Sequence, residues 1–244
     1  TAGAVAGSTL VGPTSALVAG SPGYATVYQG VLSVPYYLST SAPVTGHWLT
    51  AAGGEVTRYT ILAGAGPAAT ATLNIPILIA VPNASSPGYG AGKPVAGWPT
   101  IIFQHGITGN RTQMLGMADT AAAAGFAVVA IDQPLHGLPS TSPLYVAGAE
   151  RTFNLDVSNN TTRAPGADGH IDASGQNYIN LSSLLTSRDN LRQSAADLIR
   201  LAKTIPVVDY DGGGADLDAS RVHFLGHSLG AITGTTFLGV NTNV

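Results

Sequence analysis

The chain contains no cysteine, and that absence excludes disulfides, thiolate metal sites and cysteine nucleophiles together. Charge is scarce as well. Only 9% of the 244 residues are Asp, Glu, Lys or Arg, against about a quarter in an ordinary soluble domain. Lysine occurs twice, at Lys93 and Lys203, and the arginines are scattered. No basic stripe exists to neutralise phosphates, so a nucleic-acid partner is disfavoured. No apolar run approaches the roughly 18 to 20 residues needed to span a bilayer. The longest, residues 121–131, is interrupted by Gly125.

What is present is a folding composition. Apolar residues make up 45% of the chain and the net charge is only −3, which argues against intrinsic disorder. The sequence begins at Thr1 and is rich in small residues, with 31 glycines. This reads as an exported, extracellular protein whose signal peptide has been removed. Length alone suggests one domain with room for a full core.

Residues 1–95 read as a β-rich N-terminal region that includes the first sheet strands. Segments 27–38, 56–62 and 73–81 are rich in β-branched and aromatic residues and are bounded by Gly/Pro/Ser clusters. From about residue 96 to 244 the pattern becomes strand alternating with helix. Residues 100–104 and 126–131 read as buried strands, and 221–225 as a third strand. Residues 112–124 and 187–203 read as helices, and another helix is expected from Ser228. In the second helix Leu191, Ala195, Leu198, Ile199 and Ala202 share one face, and Thr186 with Asp189 resembles a capping box. Such alternation predicts an α/β fold with a mostly parallel sheet. A polar segment at about 134–185 interrupts it without a long element, as a lid, a binding loop or a disordered insertion would.

The chemistry centres on Gly226-His227-Ser228-Leu229-Gly230, between a predicted strand and a predicted helix. Composition alone produces Gly-x-Ser-x-Gly about 0.3 times in such a chain. The context is what carries weight. A strand running into a sharp turn presents the serine at its tip, with glycines where side chains would collide. Ser228 is therefore the candidate nucleophile. A serine hydroxyl needs a base, and the oxyanion it generates needs fixed donors. His105-Gly106-Ile107-Thr108-Gly109 follows the strand at 100–104, where one such donor is expected. The backbone N–H groups of Ile107 and Leu229 are the candidate oxyanion hole. His105, Thr108, His227 and His136 are candidate pocket-lining residues.

These stretches resemble the α/β-hydrolase superfamily and, more narrowly, bacterial extracellular lipases of the Pla-1/cef type. The narrower resemblance rests on Tyr28-Gln29-Gly30, Pro35-Tyr36-Tyr37-Leu38, Phe103 through Arg111, Arg188-Asp189-Asn190-Leu191-Arg192-Gln193 and residues 218–230. It implies hydrolysis of carboxylic esters, acyl lipids among them, through an acyl-enzyme on Ser228. Two alternatives stand beside that reading: a non-catalytic binding module of the same fold, and a polyester hydrolase. The sequence departs from the superfamily pattern in one respect. The acid and the histidine should follow the nucleophile, yet residues 231–244 contain neither. The expectation is an α/β-hydrolase core truncated after the nucleophile elbow, with a C-terminal fragment of the same polypeptide as partner. That fragment would complete the sheet and supply His and Asp. His47, His170 and His223 are poor candidates for the base.

No cofactor is required by this chemistry. Calcium is the one candidate, at Asp209, Asp211, Asp216 and Asp218, although Gly213 and Ser220 replace two ligands of the EF-hand template. Asp168, His170 and Asp172 form a weaker metal-ligand set. Arg188 and Asp189 read as a structural ion pair.

Overall fold

Burial along one strand shows where the centre of the molecule lies. In the segment ATLNIPILIAVP the first four residues alternate between half-buried and exposed, and the next eight are all buried. Alternation marks a strand with one face in solvent, and continuous burial marks one covered on both faces. The computed structural model describes residues 5–242 and 244, with side chains from residue 8 onward. Thr1 lies outside the described residues.

Six strands form one sheet. They are β1 (Val5–Pro13), β2 (Ala25–Tyr36), β3 (Ala71–Pro82), β4 (Trp98–Gln104), β5 (Ala127–Ile131) and β6 (Leu217–Gly226). Their spatial order is β1-β2-β3-β5-β4-β6. The helices are α1 (Thr14–Leu17), α2 (Arg58–Leu62), α3 (Leu115–Ala123), α4 (Leu184–Thr204) and α5 (Leu229–Val240). Cluster membership assigns the faces. Ala195, Leu198 and Leu201 of α4 and Phe237 of α5 pack on Ile77, Ile79, Val129 and Ile102. On the opposite face, Ala118, Ala121 and Ala122 of α3 pack on Leu78, Ala80, Val128 and Phe103. The helices therefore cover β3, β5 and β4 on both sides, as the burial pattern of β3 requires. No helix among the described residues is long and apolar enough to cross a membrane.

The sheet differs from the sequence expectation in its strand directions. β1–β2, β2–β3 and β3–β5 pair antiparallel, whereas β5–β4 and β4–β6 pair parallel. The mixed α/β character holds, but the sheet is not mostly parallel. No helical crossover joins the first three strands within the sheet, so nothing turns their directions to match. All three belong to the same sheet as the later strands. β1 itself was not anticipated from the sequence. It is irregular, with register shifts between Ala6 and Thr9 and between Leu10 and Gly12.

Two local expectations are corrected. Residues 56–62 are not a strand. Thr57 Oγ1 accepts the Thr60 N–H at 3.2 Å and Thr60 Oγ1 accepts the Thr57 N–H at 2.8 Å. This reciprocal cap opens α2 despite the β propensity of the residues that follow. In α4 the capping residue is Ser183, without a side-chain cap, so Thr186 and Asp189 form no capping box. Asp189 is buried one turn further on, where Arg188 and Arg192 pair with it at 2.8 and 3.0 Å. It also accepts the Trp48 N–H at 2.9 Å, which supports the structural reading of the Arg188–Asp189 pair. Gln193 fastens α4 to the end of β2, accepting from Tyr37 N–H and donating to the Pro35 carbonyl, each at 2.9 Å.

The insertion at 134–185 is largely irregular yet packed. Leu138, Leu144, Arg151 and Tyr178 are buried, and isolated bridges join His136 to Ser174 and Ser158 to Pro165.

These burials set a stability expectation. Leu198→Ala, fully buried against the sheet, should cost about 2–5 kcal/mol in urea unfolding. Leu181→Ala, 81% exposed, should stay within about 0.5 kcal/mol of the parent.

Candidate active site

The site is built where β4 and β6 end. Gln104 and Gly226 are the last paired residues of these neighbouring parallel strands, and the His227 N–H extends the ladder to the Gln104 carbonyl at 3.0 Å. The chain then reverses at Ser228, with φ 52° and ψ −118°. This is a backbone conformation that a non-glycine residue holds at a cost of about 1–3 kcal/mol. α5 begins at the next residue. Steric demand explains the flanking glycines. A Cβ at Gly226 would lie 2.6 Å from the Gly230 carbonyl oxygen, and one at Gly230 would lie 2.2 Å from that of Gln104. Strand, strained turn and helix are what the motif needs to lift its serine out, and Ser228 is exposed.

The turn after β4 lies directly against this elbow. A Cβ at Gly106 would sit 3.0 Å from Ser228 Cβ. Thr108 has a left-handed φ of 65°, and the Gly109 N–H closes the turn on the Gly106 carbonyl at 3.0 Å. Among the described residues, neither the Ile107 nor the Leu229 N–H donates to a backbone carbonyl.

Beneath the turn lies a group of charges that sequence reading had passed over. Arg111 and Asp132 are fully buried. The Arg111 guanidinium pairs with Asp132 and also reaches Glu150 Oε1 at 2.7 Å and the Leu144 carbonyl at 2.6 Å. Asp132 accepts the Arg111 N–H at 2.6 Å. Burial by itself would raise the Asp132 pKa. The guanidinium of Arg111, with His105 nearby, overrides that and holds the carboxyl below its ordinary range. Beside it, Arg151 donates to the Asp132 carbonyl at 2.8 Å and to Asp197 at 2.6 Å. Here burial prevails, and the Asp197 pKa is raised. Glu150 and Arg151 belong to the insertion, so that segment is tied to the floor of the site.

The predicted pocket-lining residues separate into two pairs. Thr108 and His227 are exposed at the turn and the elbow. His105 and His136, also expected to line the pocket, are fully buried. His105 uses both ring nitrogens internally. Nδ1 meets the Gly106 carbonyl at 2.8 Å and Nε2 accepts the Gln133 N–H at 3.0 Å. The His136 ring packs 4.8 Å from that of His105 and 5.5 Å from that of Tyr178. Burial pushes both imidazoles down, that of His136 to about 3. Of the other histidines, His47 pairs with Glu55 at 2.8 Å, His223 packs edge-on against Phe126, and His170 is exposed. None of these contacts engages Ser228. The base and the acid of a triad are not found among the described residues.

The metal expectations also receive a structural account. Asp209, Asp211 and Asp216 bring ligand-type atoms within 4.8 Å of one another, but Lys93 reaches into the group, pairing with Asp216 and lying 2.9 Å from Asp211. The cation held there in this structure is an ammonium. Asp218 is turned to Ser220 and to Arg221, the latter at 2.6 Å. Asp168 and Asp172 accept the Asn160 and Val157 N–H groups at 2.7 and 3.0 Å, and among the described residues they do not form a group of converging ligand atoms with His170.

No family model matches the sequence, and no curated protein matches it. Solved structures do. An acetyl xylan esterase from Paenibacillus sp. R4 is 17% identical with a TM-score of 0.46, covering 98% of this chain and 51% of its own. A ferulic acid esterase from Streptomyces cinnamoneus is 14% identical with a TM-score of 0.45, covering 89% and 56%. A glucuronoyl esterase from Teredinibacter turnerae T7901 is 9% identical with a TM-score of 0.38, covering 98% and 42%. The chain thus spans about half the length of the solved structures it matches.

Two measurements check the buried charges. Arg111→Met leaves the Asp132 and Glu150 carboxylates buried without their partner, and should cost about 3–5 kcal/mol in chemical denaturation. The two buried histidines, His105 and His136, set a pH dependence. Their folded pKa values lie below the unfolded value of about 6.5, so on acidification the unfolded chain takes up protons that the fold refuses. Tm should fall as the pH drops from about 6.5 towards 4, and His136→Gln should make that fall shallower in calorimetry.

Proposed function

We propose that this chain is the nucleophile-bearing part of a serine carboxylic-ester hydrolase of the α/β-hydrolase type. The observation that carries the reading is Ser228 on a strained strand-to-helix elbow, φ 52° and ψ −118°, with the Gly106 turn packed against it. In this reading Ser228 attacks the acyl carbonyl and an acyl-enzyme forms as the alcohol leaves. The Ile107 and Leu229 N–H groups, free of backbone acceptors, hold the oxyanion as it develops. The base and the acid come from polypeptide beyond residue 244, which also adds to the free side of β6. Two features of the surface support such an addition. Among the described residues β6 pairs with β4 alone, and Leu225, Ile232 and Val240 at that end are 42%, 59% and 67% exposed. An exposed strand edge beside apolar surface is what a further strand would cover.

The acyl group and alcohol accepted remain a matter of class. Lipid esters follow from the sequence resemblance, and export follows from composition. No metal enters the scheme, because acyl transfer through a serine needs a base and oxyanion donors only.

Fluorophosphonate labelling followed by peptide mapping tests the proposal. Full-length protein should be modified at Ser228, and Ser228→Ala should abolish the adduct. Gly230→Ala should strongly reduce it, because the new Cβ collides with the Gln104 carbonyl. An intact, folded protein that leaves Ser228 unmodified would instead indicate a non-catalytic binding module. Rates on p-nitrophenyl esters of increasing chain length then separate a lipase, which keeps its rate on long esters, from a short-chain esterase.

A further inference from the structure

Half of the large apolar side chains that the described residues expose lie in two short segments, 49–62 and 179–185. Leu49, Tyr59, Ile61 and Leu62 belong to the first, and α2 within it buries none of its residues. Ile179, Leu181, Leu184 and Leu185 belong to the second, at the start of α4. The fold brings the two segments together. Asn180 donates to the Val44 carbonyl at 2.8 Å, and the Trp48 N–H donates to Asp189 at 2.9 Å. Ile61 and Leu62 then share an open groove with Arg58, Arg188 and Arg192. On α4, Leu184, Arg188 and Arg192 are spaced four apart, so they follow one another along a single face.

This apolar tip projects from the edge of the sheet on which Ser228 lies. β4, β5 and β6 end together on that edge, at Gln104, Ile131 and Gly226. β3 meets the last residue of β5 at Ile77. Beyond it β2 and β3 run on as a two-stranded ribbon, paired from Val31 with Pro76 to Tyr36 with Ala71, about 20 Å further at the usual strand rise. The connection at 37–70, which contains α2, closes that ribbon. Three strands lie between β2 and β6, so the tip is separate from the free side of β6 on which further polypeptide is proposed.

We propose that the tip adsorbs to an anionic lipid surface. Contiguous exposed apolar side chains mark a place where something else is bound, and the charges beside them select the partner. Residues 37–70 and 179–192 hold Arg58, Arg188 and Arg192 against Glu55 and Asp189. Asp189 is buried beneath Arg188 and Arg192, whose side chains are partly exposed, and Glu55 is held by His47 at 2.8 Å. What faces outward beside the leucines is therefore guanidinium, on a chain whose net charge is −3. Apolar side chains fringed by arginine suit the boundary between acyl chains and anionic headgroups. A folded protein partner is less well served. The exposed neighbours of α2 include Ala51, Ala52, Ala63 and Ala65, which add no side-chain hydrogen bonds of the kind that fix one protein on another. Adsorption at the tip would turn the edge that bears Ser228 towards the lipid.

Vesicle flotation tests this with full-length protein carrying Ser228→Ala, so that no lipid is cleaved. Vesicles of phosphatidylcholine alone are compared with vesicles that also contain phosphatidylglycerol. The protein should float with the anionic vesicles and much less with the neutral ones. Ile61→Ser and Leu62→Ser should each weaken partition about tenfold, and Arg58→Gln about fivefold. Arg188 and Arg192 stay in place because they hold Asp189. Val95→Ser, at a fully exposed position just before β4, should float as the parent does. Calorimetric Tm verifies that each variant is folded. Absence of flotation with the anionic vesicles would overturn the proposal. So would equal flotation with both kinds of vesicle, or undiminished flotation of a folded Leu62→Ser. A dimer in sedimentation that Leu62→Ser dissociates would assign the tip to a second copy of the chain and overturn it as well. None of these outcomes depends on Ser228 reacting, so failure here and failure of the hydrolase reading are told apart.

Discussion

The structure depends on one buried guanidinium. Arg111 is fully enclosed and joins three segments that are distant in sequence: the turn after β4, the residues after β5 and the insertion at 134–185. A chain with so few charges has placed several of them in one dry location. Each carboxylate there is tolerable only because a guanidinium faces it, since an unpaired buried charge is costly. The geometry of the turn after β4 follows from this. Asp132 accepts the Arg111 N–H and the following Gln133 holds His105 at both its ring and its carbonyl. The turn that touches Ser228 is therefore braced from below by bonds that do not reach solvent.

The second constraint is steric. Between the ends of β4 and β6 the backbone passes so closely that no side chain fits at Gly226 or Gly230. Strain at Ser228 is sustained because strand, helix and neighbouring turn over-determine it. Rigid surroundings of this kind let a site keep donors and nucleophile in place without reorganising as charge develops. The two ends of the same strands then differ in character. One end carries strained, small-residue turns, and the other carries aromatic rings packed beside a lysine and its carboxylates.

Much of the second half of the chain was legible in the residue pattern. Apolar runs at 100–104 and 126–131 became β4 and β5 because strands covered on both faces have no polar position to break the run. Leu198 and Ala202 share a face of α4 as helical period requires. Ser228 was legible because its elbow is a local motif. The N-terminal half was harder to read. β1 is irregular and small-residued, and residues 56–62 form α2 through two threonine hydroxyls that propensity does not weigh. Strand direction was misread because alternation of strand and helix says nothing about the antiparallel strands that precede it. His105 and His136, which looked like pocket residues, are buried by contacts from residues 133 and 178.

By itself the sequence determined what depends on neighbours along the chain: the serine elbow and its glycines, the core strands and the long amphipathic helix. Periodicity and local sterics are properties of short segments, so they can be read there. Only the tertiary structure decided which charges were to be buried together. Asp132, Glu150, Arg151 and Asp197 look like ordinary surface residues until folding brings them round Arg111 and the end of β5. It likewise set Lys93 against Asp211 and Asp216, a lysine that arrives from more than a hundred residues upstream. Such pairings depend on distance in space, which spacing along the chain does not contain.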